Sequence, residues 1–376
     1  MPILKSPYPW FGAKSRVAAQ IWRRLGNVPN LVIPFFGSGA ELLARPGEPG
    51  IETINDKDAN VPNFWRAVSA EPNALAEILS YPVSECCLEA RHKALVRVCR
   101  VPACKSGQND CGSEECKWSR ARRLHDDPKY FHLEYAGWWC WGLCCWIGSG
   151  WCAGEWWGRG SEENAGTGIN VHDEERGGKR PHLGNAVRGV HRQLPHLGNA
   201  GRGVHRGGNG TCAEKLANMR EYMHRLADRL RNVRVCCGDW TRVMGPTVTF
   251  KHGVTGVILD PPYSAETGRD NSIYTEEDTS VAHDVRAWCI ENGGNPLLRI
   301  VLCGYEGEHD ELESLGWSVH AWKAHGGYGL QSFSKNGSNR GDGEYTNKFR
   351  ERCWFSPACS PQRQRNLEFC EPNKSA

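Results

Sequence analysis

Short apolar runs and helical periodicities alternate through the first 65 residues. Residues 15–25 have helical spacing and are followed by Gly26, a residue suited to end a helix. Residues 31–33 form a short apolar run that is typical of a buried strand, and residues 52–54 suit a second strand. Between these strands, residues 36–39 predict a tight turn into a helix.

Regular patterns return near residue 213. Apolar residues at helical spacing between positions 216 and 230 predict an amphipathic helix. Residues 233–237, 254–259 and 298–302 are strand candidates. The alternation of strands and helices at both ends of the chain predicts the α/β class, with a Rossmann-like sheet.

The domain organisation that follows is discontinuous. Residues 1–65 and 213–360 are predicted to form one α/β domain, which residues 66–212 interrupt and residues 361–376 follow as a tail. Inside the insertion, residues 132–147 are rich in Trp and predict a buried or half-buried helix.

The end of the insertion, about residues 159–212, is rich in Gly, His and Arg. It contains a repeat in which residues 181–186 recur as residues 195–200. Two short glycine-rich copies are too few for a solenoid, so we predict an extended loop. Seven Lys or Arg and no acid lie between residues 176 and 213, a balance that suits phosphate contacts, although a solvated loop would look the same.

Composition places the chain among globular proteins. Hydrophobic residues make up 39% and charged residues 24%, and the formal charge of +3 is too small to indicate nucleic acid alone. A run of about 18 apolar residues is missing, which argues against a transmembrane helix. The first 14 residues lack the apolar segment of a secretory signal, so the expected location is the cytoplasm.

The chain has 18 cysteines, which we expect to be reduced thiols in that compartment. Cys99, Cys104, Cys111 and Cys116 are candidates for zinc. Their intervals of four, six and four residues are looser than the usual two to four within a ligand pair. The sequence therefore favours reduced thiols and no metal, with zinc as the alternative.

The sharpest chemical signal is the tetrapeptide Asp260-Pro261-Pro262-Tyr263, which follows an apolar strand. A carboxylate and the carbonyl of a proline, which has no N–H, can together accept the two N–H bonds of an exocyclic adenine amine. An aromatic ring at the fourth position can stack on a base that has left the duplex. A strand followed by a structural proline turn is the alternative interpretation.

A second signal is the loop of residues 34–39, where Phe35 precedes Gly37 and Gly39. Glycines at a helix N-terminus allow a ligand to approach the backbone closely. Asp56 follows at the end of the next predicted strand, where an acid can bind ribose hydroxyls or simply cap a helix.

Two weaker signals have aromatic residues beside polar turns. One comprises Trp10, Phe11, Gly12 and Lys14 near the start. The other is the pair Asp239 and Trp240 after a predicted strand, an acid and an aromatic ring that suit an adenine ring. Each is also compatible with core aromatics next to a turn.

In combination and order, these motifs resemble the D12-class adenine-specific DNA methyltransferases, the family of the Dam methylases. The resemblance covers about residues 1–65 and 213–356, and the aromatic middle segment resembles phage-borne members most. Two departures are Ala13, where the family has glycine, and Ile33, where it commonly has an acid.

The resemblance implies a site-specific DNA adenine N6-methyltransferase that uses S-adenosyl-L-methionine and acts on double-stranded DNA, in a bacterial or phage-infected cell. The catalytic residues would be Asp260, Pro261, Pro262 and Tyr263. The cofactor-binding residues would be Trp10, Phe11, Gly12, Lys14, Phe35, Gly37, Gly39, Asp56, Asp239 and Trp240. The insertion would be the target recognition domain.

Three alternatives stay open. An N4-cytosine DNA methyltransferase uses the same amine chemistry but more often has Ser in place of Asp260. A non-catalytic DNA-binding protein could retain the methyltransferase scaffold. A zinc-dependent nucleic-acid-binding module could be centred on residues 99–116.

Overall fold

The computed structural model describes residues 4–10, 12–106, 108, 110–146, 151–152, 156–157, 212–263, 280–323 and 349–359. The helices are α1 (Ala18–Leu25), α2 (Ala40–Leu43), α3 (Asn60–Ala70), α4 (Pro72–Leu79), α5 (Glu85–Val96), α6 (Pro102–Ser106), α7 (Lys117–Asp126), α8 (Leu133–Cys145), α9 (Cys212–Leu230) and α10 (Val281–Asn292). The strands are β1 (Asn30–Ile33), β2 (Ile51–Asp56), β3 (Arg97–Val98), β4 (Trp156–Trp157), β5 (Val233–Cys237), β6 (Thr255–Leu259), β7 (Leu298–Tyr305), β8 (Ser318–Ala321) and β9 (Glu351–Phe355).

Seven strands form one sheet in the order β5-β2-β1-β6-β7-β9-β8. The first five are parallel, and Val32 of β1 pairs with Thr53 on one side and Val257 on the other. Strand β9 runs antiparallel to both β7 and β8. The protein is therefore mixed α/β with a mostly parallel sheet, which is compatible with a Rossmann-like fold, and β3 and β4 form a separate two-stranded sheet.

Alternate side chains of the central strands enter two different cores. Leu31 and Ile33 of β1 lie in a core with α1, α3 and α9, whereas Val32 lies in a core with α10. Strand β6 alternates in the same way, with Ile258 in the first core and Val257 in the second. A strand covered on both faces needs a continuous apolar run, which is the pattern in its sequence.

The strand order of the sheet reverses between β1 and β6. From β1 the chain proceeds outward through β2 and β5, and from β6 it proceeds the other way through β7. In open α/β sheets the crevice outside the carboxyl ends of such diverging strands is where ligands bind.

The predicted central elements are confirmed, with small differences at their ends. The first helix begins at Ala18 rather than residue 15, because residues 15–17 form a turn in which Ala18 N donates to Lys14 O. Gly26 ends it with a φ of +66°. The helix expected after residues 36–39 is α2, a single turn that begins after Gly39.

The predicted insertion begins inside a structural element. Residue 65 lies within α3, and α4 and α8 pack together with α3 and α9. The Trp-rich helix expected at residues 132–147 is α8, whose Trp139 and Trp141 are buried in the first core. Helices α4, α5 and α8 of the predicted insertion therefore share a core with the sheet domain.

Among the described helices, none is both long and apolar enough to cross a membrane. The repeat at residues 181–206 and the tail at 361–376 lie outside the described residues.

Candidate functional site

The loop between β1 and α2 is built around two glycines in the left-handed region. Gly37 has φ +49° and Gly39 has φ +71°. A Cβ on Gly37 would lie 2.5 Å from Trp10 Nε1, so the Trp10 indole packs directly on this loop. The hydroxyl of Tyr8 donates to Gly37 O at 2.8 Å. The structure thus brings two of the sequence-predicted motifs, the loop and the N-terminal aromatic segment, into contact.

Asp56, at the end of β2, holds the same loop. Its Oδ2 accepts a hydrogen bond from Gly37 N at 2.9 Å, and its Oδ1 accepts one from Asp58 N at 2.9 Å. Burial and the nearby charge of Asp58 raise the pKa of Asp56 to about 7. The acid expected to bind ribose therefore lies beside the glycine loop and also stabilises it.

The buried Asn55 joins three strand ends and was not singled out by the sequence. Its Nδ2 donates to Pro34 O at 3.1 Å and to Gly238 O at 2.9 Å. These carbonyls follow β1 and β5, the strands on either side of β2. The side chain fixes the spacing of the loops that carry the predicted cofactor residues.

Asp239 and Trp240 lie at the end of β5. Asp239 is exposed and caps a 3₁₀ turn, because its Oδ1 accepts from Thr241 N at 3.0 Å and from Thr241 Oγ1 at 2.6 Å. Trp240 is buried and stacks on Phe35, with ring centroids 6.2 Å apart. The pair adjoins the glycine loop through Phe35, and it also has a structural role there.

Asp260 follows β6 directly and forms an ion pair with Lys14. Lys14 Nζ lies 2.7 Å from Asp260 Oδ2 and donates to Gly12 O at 2.7 Å. The side chain of Lys14 is 1% exposed and that of Asp260 22%. Lys14, expected to hold the cofactor, contacts the predicted catalytic carboxylate.

Acidic neighbours keep Lys14 positively charged. Burial works to lower the pKa of Lys14, but the negative charges around it, led by Asp260 and including Glu351, outweigh burial and raise the pKa well above its usual value. A buried lysine cation is therefore a permanent part of this strand edge.

Tyr263 is anchored through its hydroxyl and its ring edge. Its hydroxyl donates to Glu351 Oε2 at 2.8 Å, and its ring meets Tyr305 edge to face at 4.7 Å. Lys14 Nζ lies 5.5 Å from the Tyr263 ring centroid. Burial and the charges of Asp260 and Glu351 raise the pKa of Tyr263 well above its usual value, so the phenol remains neutral. Before Tyr263 in the chain, Pro261 is buried and Pro262 half-buried.

Sequence reasoning missed two acids of this cluster, Glu41 and Glu351. Glu41 lies in the first turn of α2 and is 6% exposed; burial, and then the charge of Asp260, raise its pKa to about 7. Glu351 begins β9 and is 5% exposed, and burial raises its pKa. For Glu41 a signal existed, an acid two residues after Gly39, but an acid in a first helical turn is ordinary.

The predicted site residues fall into two adjoining groups. Trp10, Gly37, Gly39 and Asp56 surround the end of β1, together with Phe35, Asp239 and Trp240. Gly12, Lys14, Asp260 and Tyr263 surround the end of β6. Phe11 lies outside the described residues, as does the glycine-rich segment 158–211.

Comparison with known proteins identifies no family for this chain. The sequence matches no protein-family model and no curated protein. The site is therefore interpreted from its own residues.

Proposed function

We propose that this chain is an S-adenosylmethionine-dependent DNA methyltransferase that methylates the N6 amine of adenine. One observation carries the proposal. The glycine loop follows β1 and the tetrapeptide follows β6, and these strands are neighbours at the point where the strand order reverses. A cofactor on the first motif and a substrate on the second would therefore meet in one crevice.

The residues around β1 fit the cofactor that the resemblance implies. Gly37 and Gly39 have positive φ, and the rings of Trp10 and Phe36 fill the space beside them, which fixes the shape of the loop that would bind the cofactor. Asp56 is half-buried, and each of its oxygens has a second lone pair available after the backbone hydrogen bonds. When bound, S-adenosylmethionine supplies an electrophilic methyl group.

The residues after β6 fit an amine substrate. Lys14 occupies Asp260 Oδ2, and no hydrogen bond from the described residues reaches Oδ1. Oδ1 and the Pro261 carbonyl can each accept one N–H of an exocyclic amine. When both N–H bonds of the amine are accepted, its nitrogen becomes more tetrahedral and its lone pair becomes available. The nitrogen would become positive when it gains the methyl group and would then release one N–H proton to water. Asp260 therefore need not be a strong base, and positioning supplies most of the acceleration.

Tyr263 gives the site an aromatic ring of fixed orientation. Its contacts with Glu351 and Tyr305 hold the ring beside Asp260, where a base removed from the duplex could stack. Extruding a base costs a few kcal/mol, which stacking and phosphate contacts can offset. DNA as the partner is proposed on this chemistry and on the basic composition of residues 176–213.

The test is transfer of labelled methyl from S-adenosylmethionine to unmethylated DNA, followed by mass spectrometry of the nucleosides. We expect N6-methyladenine from the unmodified chain and none from Asp260→Asn, which keeps the shape of the side chain but removes its charge. Asp310→Asn is the matched control, because Asp310 is exposed and begins a short 3₁₀ helix. That variant should retain full activity.

Other outcomes would contradict the proposal in different ways. N4-methylcytosine would show that the amine chemistry is right and the base is wrong. Full activity in Asp260→Asn would remove the tetrapeptide from the mechanism. If the chain binds the cofactor and DNA but transfers no methyl group, it is a non-catalytic DNA-binding protein that retains the methyltransferase scaffold.

A further inference from the structure

Four cysteines from four different local structures converge at one point of the predicted insertion. Cys99 follows β3, Cys104 lies in α6, Cys111 is in the connecting segment and Cys116 precedes α7 as its N-cap residue. Their sulfurs all lie within 4.8 Å of one another. Within the part of the chain that the structure describes, this is the one group of three or more His, Cys, Asp or Glu so arranged.

The distances between these sulfurs are those of a metal site. Cys104 Sγ lies 3.7 Å from Cys111 Sγ and 3.8 Å from Cys116 Sγ. A tetrahedral zinc ion with Zn–S bonds of about 2.3 Å separates its sulfurs by about 3.8 Å. A disulfide would place two sulfurs about 2.0 Å apart. These two distances match those between the ligands of one zinc ion, and the other four are at most 4.8 Å.

Close pairs of thiols also occur in this protein for packing alone. Cys303 and Cys353 face each other across β7 and β9 with their sulfurs 3.7 Å apart, inside the first core. Such a pair needs two neighbouring strands and apolar surroundings. The tetrad differs because it collects four sulfurs, two of them only half-buried, from a segment with little core.

The segment around the tetrad has few apolar side chains to hold it together. Between residues 97 and 117, the buried hydrophobic side chains among those described are Val98, Cys104 and Cys116. A segment of this kind is commonly held by a disulfide or a metal rather than by a hydrophobic core. The four cysteines of this segment form no disulfide.

Two hydrogen bonds hold the backbone around the tetrad. Cys99 N donates to Cys116 Sγ at 3.4 Å, and Arg122 NH2 donates to Cys104 O at 2.9 Å. The first would stabilise the negative charge of a metal-bound thiolate, and the second ties the backbone of α6 to α7.

We propose that Cys99, Cys104, Cys111 and Cys116 bind one zinc ion, which holds β3, α6 and the start of α7 together. All four ligands come from the protein, so the site is closed and structural rather than catalytic. The loose intervals of four, six and four residues made reduced thiols the expectation from sequence. In the structure, however, the four sulfurs lie close enough together to bind one ion. The proposal does not depend on the methyltransferase assignment.

The helix that the ion would fix connects to the rest of the first core. Arg120 of α7 is 6% exposed, donates to Leu95 O at 2.8 Å, and lies 3.8 Å from the centre of the Tyr135 ring. Leu124, one turn further, is also buried. Loss of the ion would therefore release the N-terminal end of α7 while its middle remains packed.

The first experiment uses the full chain, purified without chelator, and measures metal content per chain by mass spectrometry. We expect one zinc per chain. Replacement of that zinc by Co²⁺ should give the intense visible absorption of a tetrahedral tetrathiolate site, and X-ray absorption should show four sulfur neighbours. A folded protein with no zinc, and no such spectrum when Co²⁺ is added, would overturn the proposal without any variant.

The second experiment locates the ion. Cys111→Ser is the decisive variant, because Cys111 is half-buried and serine there disturbs packing little. We expect loss of the zinc and of the cobalt spectrum, with a lower melting temperature. The controls are Cys87→Ser, an exposed thiol, and Cys289→Ser, a buried thiol in the second core. Both should keep full zinc content, and retention of zinc by Cys111→Ser would contradict the assignment.

Discussion

At the scale of single residues, Lys14 determines the charge balance of the candidate site. It is the cation paired with Asp260 in a cluster that also contains Glu41 and Glu351, and its side chain is almost fully buried. A buried charge of this kind is tolerated because it is paired and hydrogen-bonded. The same contacts fix the position of the Asp260 carboxylate.

On the proposed function, Lys14→Met should lower methyl transfer by roughly 100-fold, because small displacements of a reacting group have effects of that size. Lys14→Arg keeps the charge and should restore part of the activity. The measurement is kcat and cofactor Kd for each variant, with Lys251→Met, at an exposed lysine, as the control. An active Lys14→Met enzyme would show that Asp260 does not need this partner.

Gly37→Ala should destabilise the protein by about 1–3 kcal/mol, because alanine is strained at positive φ and its Cβ would collide with Trp10. Gly47→Ala is a matched control, since Gly47 has φ +74° but no heavy atom within 4 Å of a Cβ. Urea denaturation gives the loss in free energy of unfolding for each variant. The difference between the two losses is the cost of the collision with Trp10. Equal losses would mean that Trp10 moves away without cost.

At the scale of secondary-structure elements, a buried ion triad connects the two halves of the sheet domain. Glu52 of β2 is fully buried and accepts hydrogen bonds from Arg45 NH1 at 2.8 Å and from Arg229 NH1 at 2.6 Å. Arg229 lies in the last turn of α9, so this contact joins residues on either side of the predicted insertion.

Glu52→Gln should cost about 3–5 kcal/mol, because it leaves two arginines without their buried counter-charge. Asp228→Asn on the same helix is the control, since the Asp228–Arg231 pair is exposed and such pairs contribute about 0–1 kcal/mol. Urea denaturation of both variants gives the comparison. A loss below about 1 kcal/mol for Glu52→Gln would show that water reaches the arginines.

The elements differ in how far the sequence could predict them. Strands β1 and β6 are covered on both faces, so their apolar runs were visible. Strands β8 and β9 were not predicted, because β8 is polar and partly exposed and β9 begins with charged residues. The place of Glu351 beside Tyr263 depends on the antiparallel direction of β9, which no local pattern specifies. The four cysteines of the tetrad were named as zinc candidates, but the sequence favoured reduced thiols, since linear spacing says little about distances in space.

At the scale of the whole molecule, buried acids make stability depend on pH. The pKa of Glu41 rises from 4.5 to about 7 on folding, because of burial and the charge of Asp260. Between these pH values the folded state binds more protons than the unfolded state. The free energy of unfolding therefore falls as pH rises through this window and levels off above it.

Glu41→Gln should remove this contribution. Relative to the unmodified chain, the variant should gain stability between about pH 4.5 and 7, by up to about 3 kcal/mol at pH 8. Urea denaturation at pH 5 and pH 8 measures the gain. A difference that does not change with pH would mean that Glu41 is not protonated in the folded protein.

The pairing of β1 with β6 has a consequence for synthesis of the protein. Asn30 pairs with Thr255, more than two hundred residues later, which is the widest separation between paired strands in the sheet. At ribosomal rates of about 5–20 residues per second, β1 waits on the order of ten to forty seconds for this neighbour. During that time the nascent chain presents an apolar strand edge to solvent, and chaperones rather than native contacts would have to shield it. The strand pair that carries the candidate site therefore cannot form until residues 255–259 have been synthesised.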